Sequence, residues 1–441
     1  MLILRKALQT IKADTSIRHI GSFSAAMAEA LAKHEAEQKA FQAKKQPYKP
    51  RYNGRVKKRQ WEQSSETEEG ASKRPANFDP ADRVKRRKYA MLLGYSGANY
   101  FGMQRNPGMK TIEEDVFKAM FENKLVTEEM FNQAQLIQFQ RAARTDKGVS
   151  AARQVCSLKF PDEFDLKALN ASLPDEIRIF SIVRVTKGFN SKDQCNSRTY
   201  TYTLPTISFA EHQEKEVQME SYRAPKERID RLNEILKQFE GTKNFHNFTS
   251  RKDFIDPSSK RYIMSFACCE PFLSPDNIEF ATITIQGQSF MLHQIRKMVG
   301  LSLAVLRGHT TEETIKRSFT EERLDIPMAP GLGLVLDRIH YDRYNERYGQ
   351  DGVHAPLTWE KEEPEIQEFI NKYIFPTIYN IEMKEKPMVA WLETLGFHSY
   401  DVRTDQQVDE AEEIREIKAS ECSTETAEVQ NDTETSNLQT V

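Results

Sequence analysis

Apolar and polar positions follow two different periods along the chain. Between Arg198 and Leu204 the residues alternate: Arg198, Tyr200, Tyr202 and Leu204 share one face and Thr199, Thr201 and Thr203 the other, the period of a strand. Apolar runs at Tyr89–Tyr95, Leu136–Phe139, Gln154–Phe160, Ile177–Val185, Tyr262–Cys269, Ile278–Gln286 and Gly333–His340 predict further strands, with a turn at Ser96–Asn99 after the first. Helical spacing appears in Thr111–Lys124, which opens on a threonine cap and acidic residues, in Pro225–Phe239, and in Phe290–Leu306. In the last of these, Leu292, Arg296, Val299 and Leu303 fall on one face, which places an arginine on or beside the packed stripe. Strands and helices are interspersed in two similar rounds, which predicts a mixed α/β (α+β) protein built on one large sheet. Beyond residue 344 the pattern is helical and charged (357–372 and 383–396), an appended layer with Trp359 and Trp391 available to pack it down.

Charge changes the picture at both ends. The net charge is −2, but residues 1–88 carry 21 lysines and arginines against 10 acids, and residues 401–441 carry 3 against 12. The basic start is polar from 41 to 88, and the acidic end is rich in Ser and Thr. Neither holds enough apolar surface to offset the entropy of ordering, so both are expected to be disordered, whereas 26–40 reads as a loosely attached helix. The first 25 residues hold Arg5, Lys6, Lys12 and Arg18 against Asp14 alone, a composition similar to a mitochondrial transit peptide. Lys57-Lys58-Arg59 and the run Arg83–Lys88 read as nuclear localisation signals or RNA-backbone contacts. Mitochondrion and nucleus are therefore the expected locations. No run of about 18 apolar residues occurs, which excludes a membrane-spanning helix. The five cysteines include no CxxC pair, which argues against a disulfide scaffold or a zinc site of the usual spacing.

Chemistry concentrates in a few segments. In Arg141-Ala-Ala-Arg144-Thr145-Asp146-Lys147-Gly148, three cations surround one carboxylate between two strand-like stretches. An acid so placed stays ionised and can serve as nucleophile or base, or the cluster is simply a salt-bridged turn. A buried Arg296 needs an anionic partner, for which Asp146 is a candidate; the alternative is a guanidinium that reaches the helix edge. Tyr200 either stacks on a nucleobase or packs in the core. Ala329–Val335, with glycines framing Leu332, either lines a pocket or is a plain turn.

Taken in order, these segments resemble the TruA-type tRNA pseudouridine synthases, most closely their eukaryotic branch. The resemblance rests on Tyr95–Arg105 (YSGANYFGMQR), Arg144-Thr-Asp146-Lys-Gly148, Phe189 followed by Arg198–Tyr202, Gly287–Gly300 and Pro330–Val335, with Gly241–Phe248 in support; it covers roughly 310 residues. Lys147, Ser150 and Met103 depart from many bacterial members.

The resemblance implies two pseudo-symmetric halves, 85–190 and 191–343, joined in one extended, mostly antiparallel sheet. They are preceded by a basic region (1–84) and followed by a helical extension (344–400) and an acidic tail (401–441). It implies Asp146 as the essential catalytic residue, acting as nucleophile or as base at C2′. Arg144 would displace the target nucleotide, Tyr200 would stack on the flipped uracil, Arg296 would pair with the carboxylate, and Leu332 would line the uracil pocket. The reaction involves no redox change, so no cofactor and no catalytic metal is expected. The partner is tRNA, with messenger and small nuclear RNA as further candidates, and no membrane; bacterial relatives are dimers, but a monomer is favoured here. Arg105, Lys147, Arg198 and Lys297 are candidate phosphate contacts. A non-catalytic RNA chaperone using the same basic cleft is the alternative.

Overall fold

The longest apolar runs become the middle of one sheet. A computed structural model of the chain describes residues 84–213, 218–250 and 252–403, and within them ten strands form a single sheet. They are β1 (Arg86–Tyr95), β2 (Gln140–Arg141), β3 (Ser150–Pro161), β4 (Ile177–Arg184), β5 (Ser197–Pro205), β6 (Gly241–Asn244), β7 (Lys260–Cys268), β8 (Phe272–Leu273), β9 (Glu279–Gly287) and β10 (Leu334–His340). The spatial order is β4-β1-β3-β10-β5-β9-β7-β6, with β2 beside β3 and β8 beside β9. All pairings are antiparallel except that of β3 with β10, where Val335 lies opposite Ser150 and Leu336 opposite Ala151. That parallel contact is a seam, with β1–β4 on one side and β5–β10 on the other. The mixed α/β class and the mostly antiparallel sheet are as the sequence implied.

Both faces of the sheet are covered. Phe266 on β7 pairs with Ile285 on β9, so the two share a face, and there Phe266 meets Phe239 just beyond helix α2. Phe280 lies an odd number of residues from Ile285 and so points the other way, where it meets Tyr379 of the appended helices. Burial on two sides explains why β3 is buried along nearly its whole length, with Arg153, Gln154 and Ser157 enclosed among its apolar residues, and shows no clean alternation. The helices that matter for the site are α1 (Ile112–Glu122), α2 (Lys226–Lys237), α3 (Gln294–Leu306), α4 (Asp342–Tyr348), α5 (Glu363–Phe369), α6 (Phe375–Lys384) and α7 (Pro387–Thr394). Thr111 caps α1 as expected, its side chain accepting from the Glu114 amide, an arrangement that stabilises a helix by about 1 kcal/mol.

The appended layer is tied to both sides of the seam. Arg153 on β3 is almost fully buried and bonds Asp337 on β10 at 2.7 Å and Glu363 on α5 at 2.5 Å. Phe180 on β4 packs edge-on against Phe369, and Trp359 is buried as the sequence suggested.

Three expectations need correction. Leu136–Phe139 is not a strand: Ala134–Ile137 is a short 3-10 turn closed by Gln138 in a left-handed conformation, and only the next two residues pair with β3. The long helix begins at Gln294 and not at Phe290, because His293 at φ 62° stops the helix there; Leu292 is therefore exposed and not on the packed stripe. Chain order also persists past 401: Val402 bridges Leu324, and Asp401 accepts from the Asp325 amide. The targeting segment, the basic run up to Arg83, the 26–40 helix and the tail from 404 lie outside the described residues.

Candidate active site

The loop that carries Asp146 runs into the first residue of β3, and the loop that carries Leu332 runs into the first residue of β10. Because these two strands are parallel neighbours, both loops open at the same end of the seam. Tyr200 is brought to the same place by β5, where it pairs with Leu336.

The Asp146 loop is held by its backbone. Ala142 donates to Val155, Gln154 bonds Ala143 through both ends of its amide, and the Val149 amide donates to the Asp146 carbonyl at 3.1 Å. The segment after β1 packs directly on it: Met103 donates to the Thr145 carbonyl, and Gly148 donates to that of Tyr100. This approach explains two glycines of the Tyr95–Arg105 motif. A Cβ on Gly97 would lie 2.2 Å from the Val149 carbonyl oxygen, and one on Gly102, whose φ is +92°, would lie 2.8 Å from that of Thr145. The buried Tyr95 hydroxyl bonds the Thr145 hydroxyl at 2.8 Å. A loop fixed in this way presents Asp146 half-exposed and Arg144 exposed.

The other side of the seam supplies Arg296, in the first turn of α3. Its Nε donates to the Ala329 carbonyl at 2.7 Å, and its guanidinium lies beneath Gly331. Burial pulls the Arg296 guanidinium down from its usual value, while Tyr202 and Asp146 pull it back. Arg296 is therefore within electrostatic reach of Asp146, but the two do not close an ion pair; the guanidinium is spent on the pocket loop. That loop is further fixed by the Tyr202 hydroxyl, which donates to the Pro330 carbonyl at 2.6 Å. It also crosses α3 at Gly300, where a Cβ would meet the Pro327 carbonyl at 2.4 Å. Leu332 projects from it, half-buried against the core.

A further residue beside the carboxylate is not singled out by the sequence pattern. His293 Nε2 lies 4.0 Å from Asp146 Oδ2, and His293 is the left-handed residue at the start of α3. A non-glycine residue in that conformation is strained, on the order of 1 kcal/mol or more. The available signal was the position of His293 beside Arg296 in the Gly287–Gly300 block. Tyr200 is buried and packs edge-on against Phe290 at 5.3 Å. Burial pushes its phenol up to about 12, so it stays neutral at physiological pH.

Three of the four proposed phosphate contacts are committed elsewhere. Arg105 pairs with Glu114 and lies over Phe131. Arg198 donates to Ala142 and Gln288, joining the two sides of the seam. Lys297 is buried and donates to the Asn247 carbonyl at 3.0 Å. Only Lys147 is exposed, above the ring of the exposed Phe101 at 4.5 Å.

A carboxylate on a fixed loop, with a half-buried arginine and a buried tyrosine within electrostatic reach and the exposed Arg144 and Lys147 beside it, is the layout of an enzyme for an anionic polymer. Comparison with known proteins makes this specific. A family model described as tRNA pseudouridine synthase matches residues 235–342, which hold α3 and the Leu332 loop. The pseudouridylate synthase 1 homolog of Mus musculus is 47% identical over 77% of this chain and 81% of its own length, and that of Homo sapiens 48% identical over 70% and 73%. A tRNA pseudouridine synthase 1 of Kluyveromyces lactis is 34% identical over 76% and 74%. The chain belongs to the TruA-type tRNA pseudouridine synthase family, isomerases that convert uridine in tRNA to pseudouridine.

Proposed function

We propose that Asp146 carries out the isomerisation on a uridine extruded from tRNA into the cleft at the β3–β10 seam. The observation that carries this reading is the meeting of Asp146, Tyr200, Arg296 and Leu332, contributed by separate segments, at one end of two parallel strands. Leaving the stack costs a few kcal/mol, offset by Arg144 and by phosphate contacts. Asp146 then attacks the sugar or base as a nucleophile, or removes the C2′ proton as a base. The N1–C1′ bond breaks, the uracil turns, C5 bonds C1′ as the bond to Asp146 breaks or Asp146 returns the proton to C2′, and the proton displaced from C5 is matched by one gained at N1, so the product is an isomer and the carboxylate is regenerated. Tyr200 and Leu332 keep the freed uracil against the sugar. Arg296 steadies both the negative charge and the pocket loop, and His293 joins it in facing the carboxylate.

The targets in this reading are uridines in and near the anticodon stem, with messenger and small nuclear RNA as further substrates. The enzyme works as a monomer and divides between mitochondrion and nucleus through its basic amino-terminal segment. The test is incubation with unmodified tRNA followed by site-resolved mapping of pseudouridine. Wild type is expected to produce it and Asp146→Ala none; equal product from both removes Asp146 from the chemistry.

A further inference from the structure

A pocket of about 480 Å³ opens between the approach to β5 and the helix that follows β10, and its lining includes none of the residues assigned to catalysis or to holding the uracil. Its walls come from the approach to β5 (Asp193, Gln194), the residue after β9 (Gln288), and α4 (Arg343, Arg347, Tyr348). The volume suits one nucleotide or a molecule of that size. Arg343 and Arg347 are exposed, lie one helical turn apart, and have no acidic partner within ion-pair distance among the described residues. By contrast, Arg105, Arg141, Arg153, Arg228 and Arg317 each hold a carboxylate. The one acid in the pocket, Asp193, has an oxygen occupied by the Asn190 amide at 2.7 Å.

The remaining surface is suited to a base. Tyr348 offers a half-buried ring with the Arg347 guanidinium 5.4 Å above it. Gln194 Oε1 is buried yet has no hydrogen-bond partner, an acceptor without a donor. The pocket is also coupled to the catalytic loop. Its Gln288 carbonyl takes a bond from Arg198, the same guanidinium that holds Ala142, four residues before Asp146. From Asn196, in the pocket wall, to Tyr200 is roughly 13 Å along the extended chain, so the occupant is a near neighbour of the target uridine and not the uridine itself.

We infer that this pocket binds one nucleotide of the substrate strand flanking the target uridine, with Arg343 and Arg347 on its two phosphates and its base against Tyr348 and Gln194. The inference rests on the tRNA reading above. It predicts that the full-length double variant R343A/R347A binds unmodified tRNA about tenfold more weakly at moderate salt, and that the slope of log affinity against log salt falls by about one to two units. The single-turnover rate at saturating tRNA and the thermal midpoint stay as in wild type. The double variant R343K/R347K restores most of the slope, which a merely structural role does not predict. With tRNA carrying 4-thiouridine, ultraviolet cross-links are expected on Tyr348 or its immediate neighbours. Unchanged affinity and slope in R343A/R347A, or cross-links that avoid this pocket, overturn the inference while leaving Asp146 untouched. A wild-type protein that binds tRNA with the expected slope but forms no pseudouridine overturns the catalytic reading and leaves the pocket.

Discussion

Tyr200 separates what a side chain holds in place from what it contacts in the substrate. Its ring is buried and packed on Phe290, while its hydroxyl has no hydrogen-bond partner among the described residues. Tyr200→Phe is therefore expected to change stability by no more than about 0.5 kcal/mol. Tyr200→Ala, which removes the whole ring, should cost roughly 3–5 kcal/mol. Urea denaturation of the two variants distinguishes these; a large loss in the phenylalanine variant would show that the hydroxyl is bonded. At this scale the sequence was half legible. Asp146 and Arg144 stand out because a lone acid among cations beside glycine is visible in one line of residues. The partners of Arg105, Arg198 and Lys297 are not visible, since Glu114, Ala142, Gln288 and Asn247 reach them only once the sheet is assembled.

Among the elements, the Tyr95–Arg105 segment acts as a backing plate for the Asp146 loop. Gly97→Ala would push a Cβ to 2.2 Å from the Val149 carbonyl oxygen, so one of the two backbones must move. A shift near 1 Å is expected to lower the single-turnover rate about a hundredfold, with tRNA affinity largely kept. A normal rate would mean that the loop does not depend on this contact. The helical cover offers a pH test. Glu382 on α6 is buried, bonds the Met388 amide at the start of α7, and has its carboxyl held up at about 7 by burial, against an ordinary 4.5. As pH rises between these values the unfolded chain releases its proton first. The favourable neutral form therefore contributes fully below about pH 4.5, and by about pH 7 up to roughly 3 kcal/mol is lost. Glu382→Gln removes that loss, so its advantage over wild type in urea denaturation should be larger at about pH 8 than at about pH 5; an equal gap at both contradicts the assignment. Elements with a strong local period, such as α1 with its threonine cap and β5 with its alternating face, were legible in the sequence. The start of α3 was not, because His293 leaves the helical region at a position the local pattern does not mark. The short apolar run at Leu136–Phe139 carried too few residues to distinguish a strand from a turn.

For the whole molecule, the decisive feature is the parallel contact of β3 and β10, which no local pattern predicts and which the family resemblance supplied only as two joined halves. Arg153 holds that contact and the helical cover together through Asp337 and Glu363. Arg153→Ala leaves Asp337 without its cation and Glu363 with Arg338 alone, and should destabilise the fold by about 2–3 kcal/mol, less than a fully buried pair because the acids are partly exposed. The rate of the folded fraction at saturating tRNA should be unchanged, since Arg153 touches none of the site residues; a lowered rate at full folding would show that the cover reaches the chemistry. The seam exists, in this account, to set one ionised carboxylate against an extruded uridine. The most direct measurement is a single-turnover assay of Asp146→Asn at saturating, unmodified tRNA, with affinity measured in parallel. Wild-type affinity with no detectable pseudouridine at any site is expected. Product at a rate near wild type from the asparagine variant would contradict it.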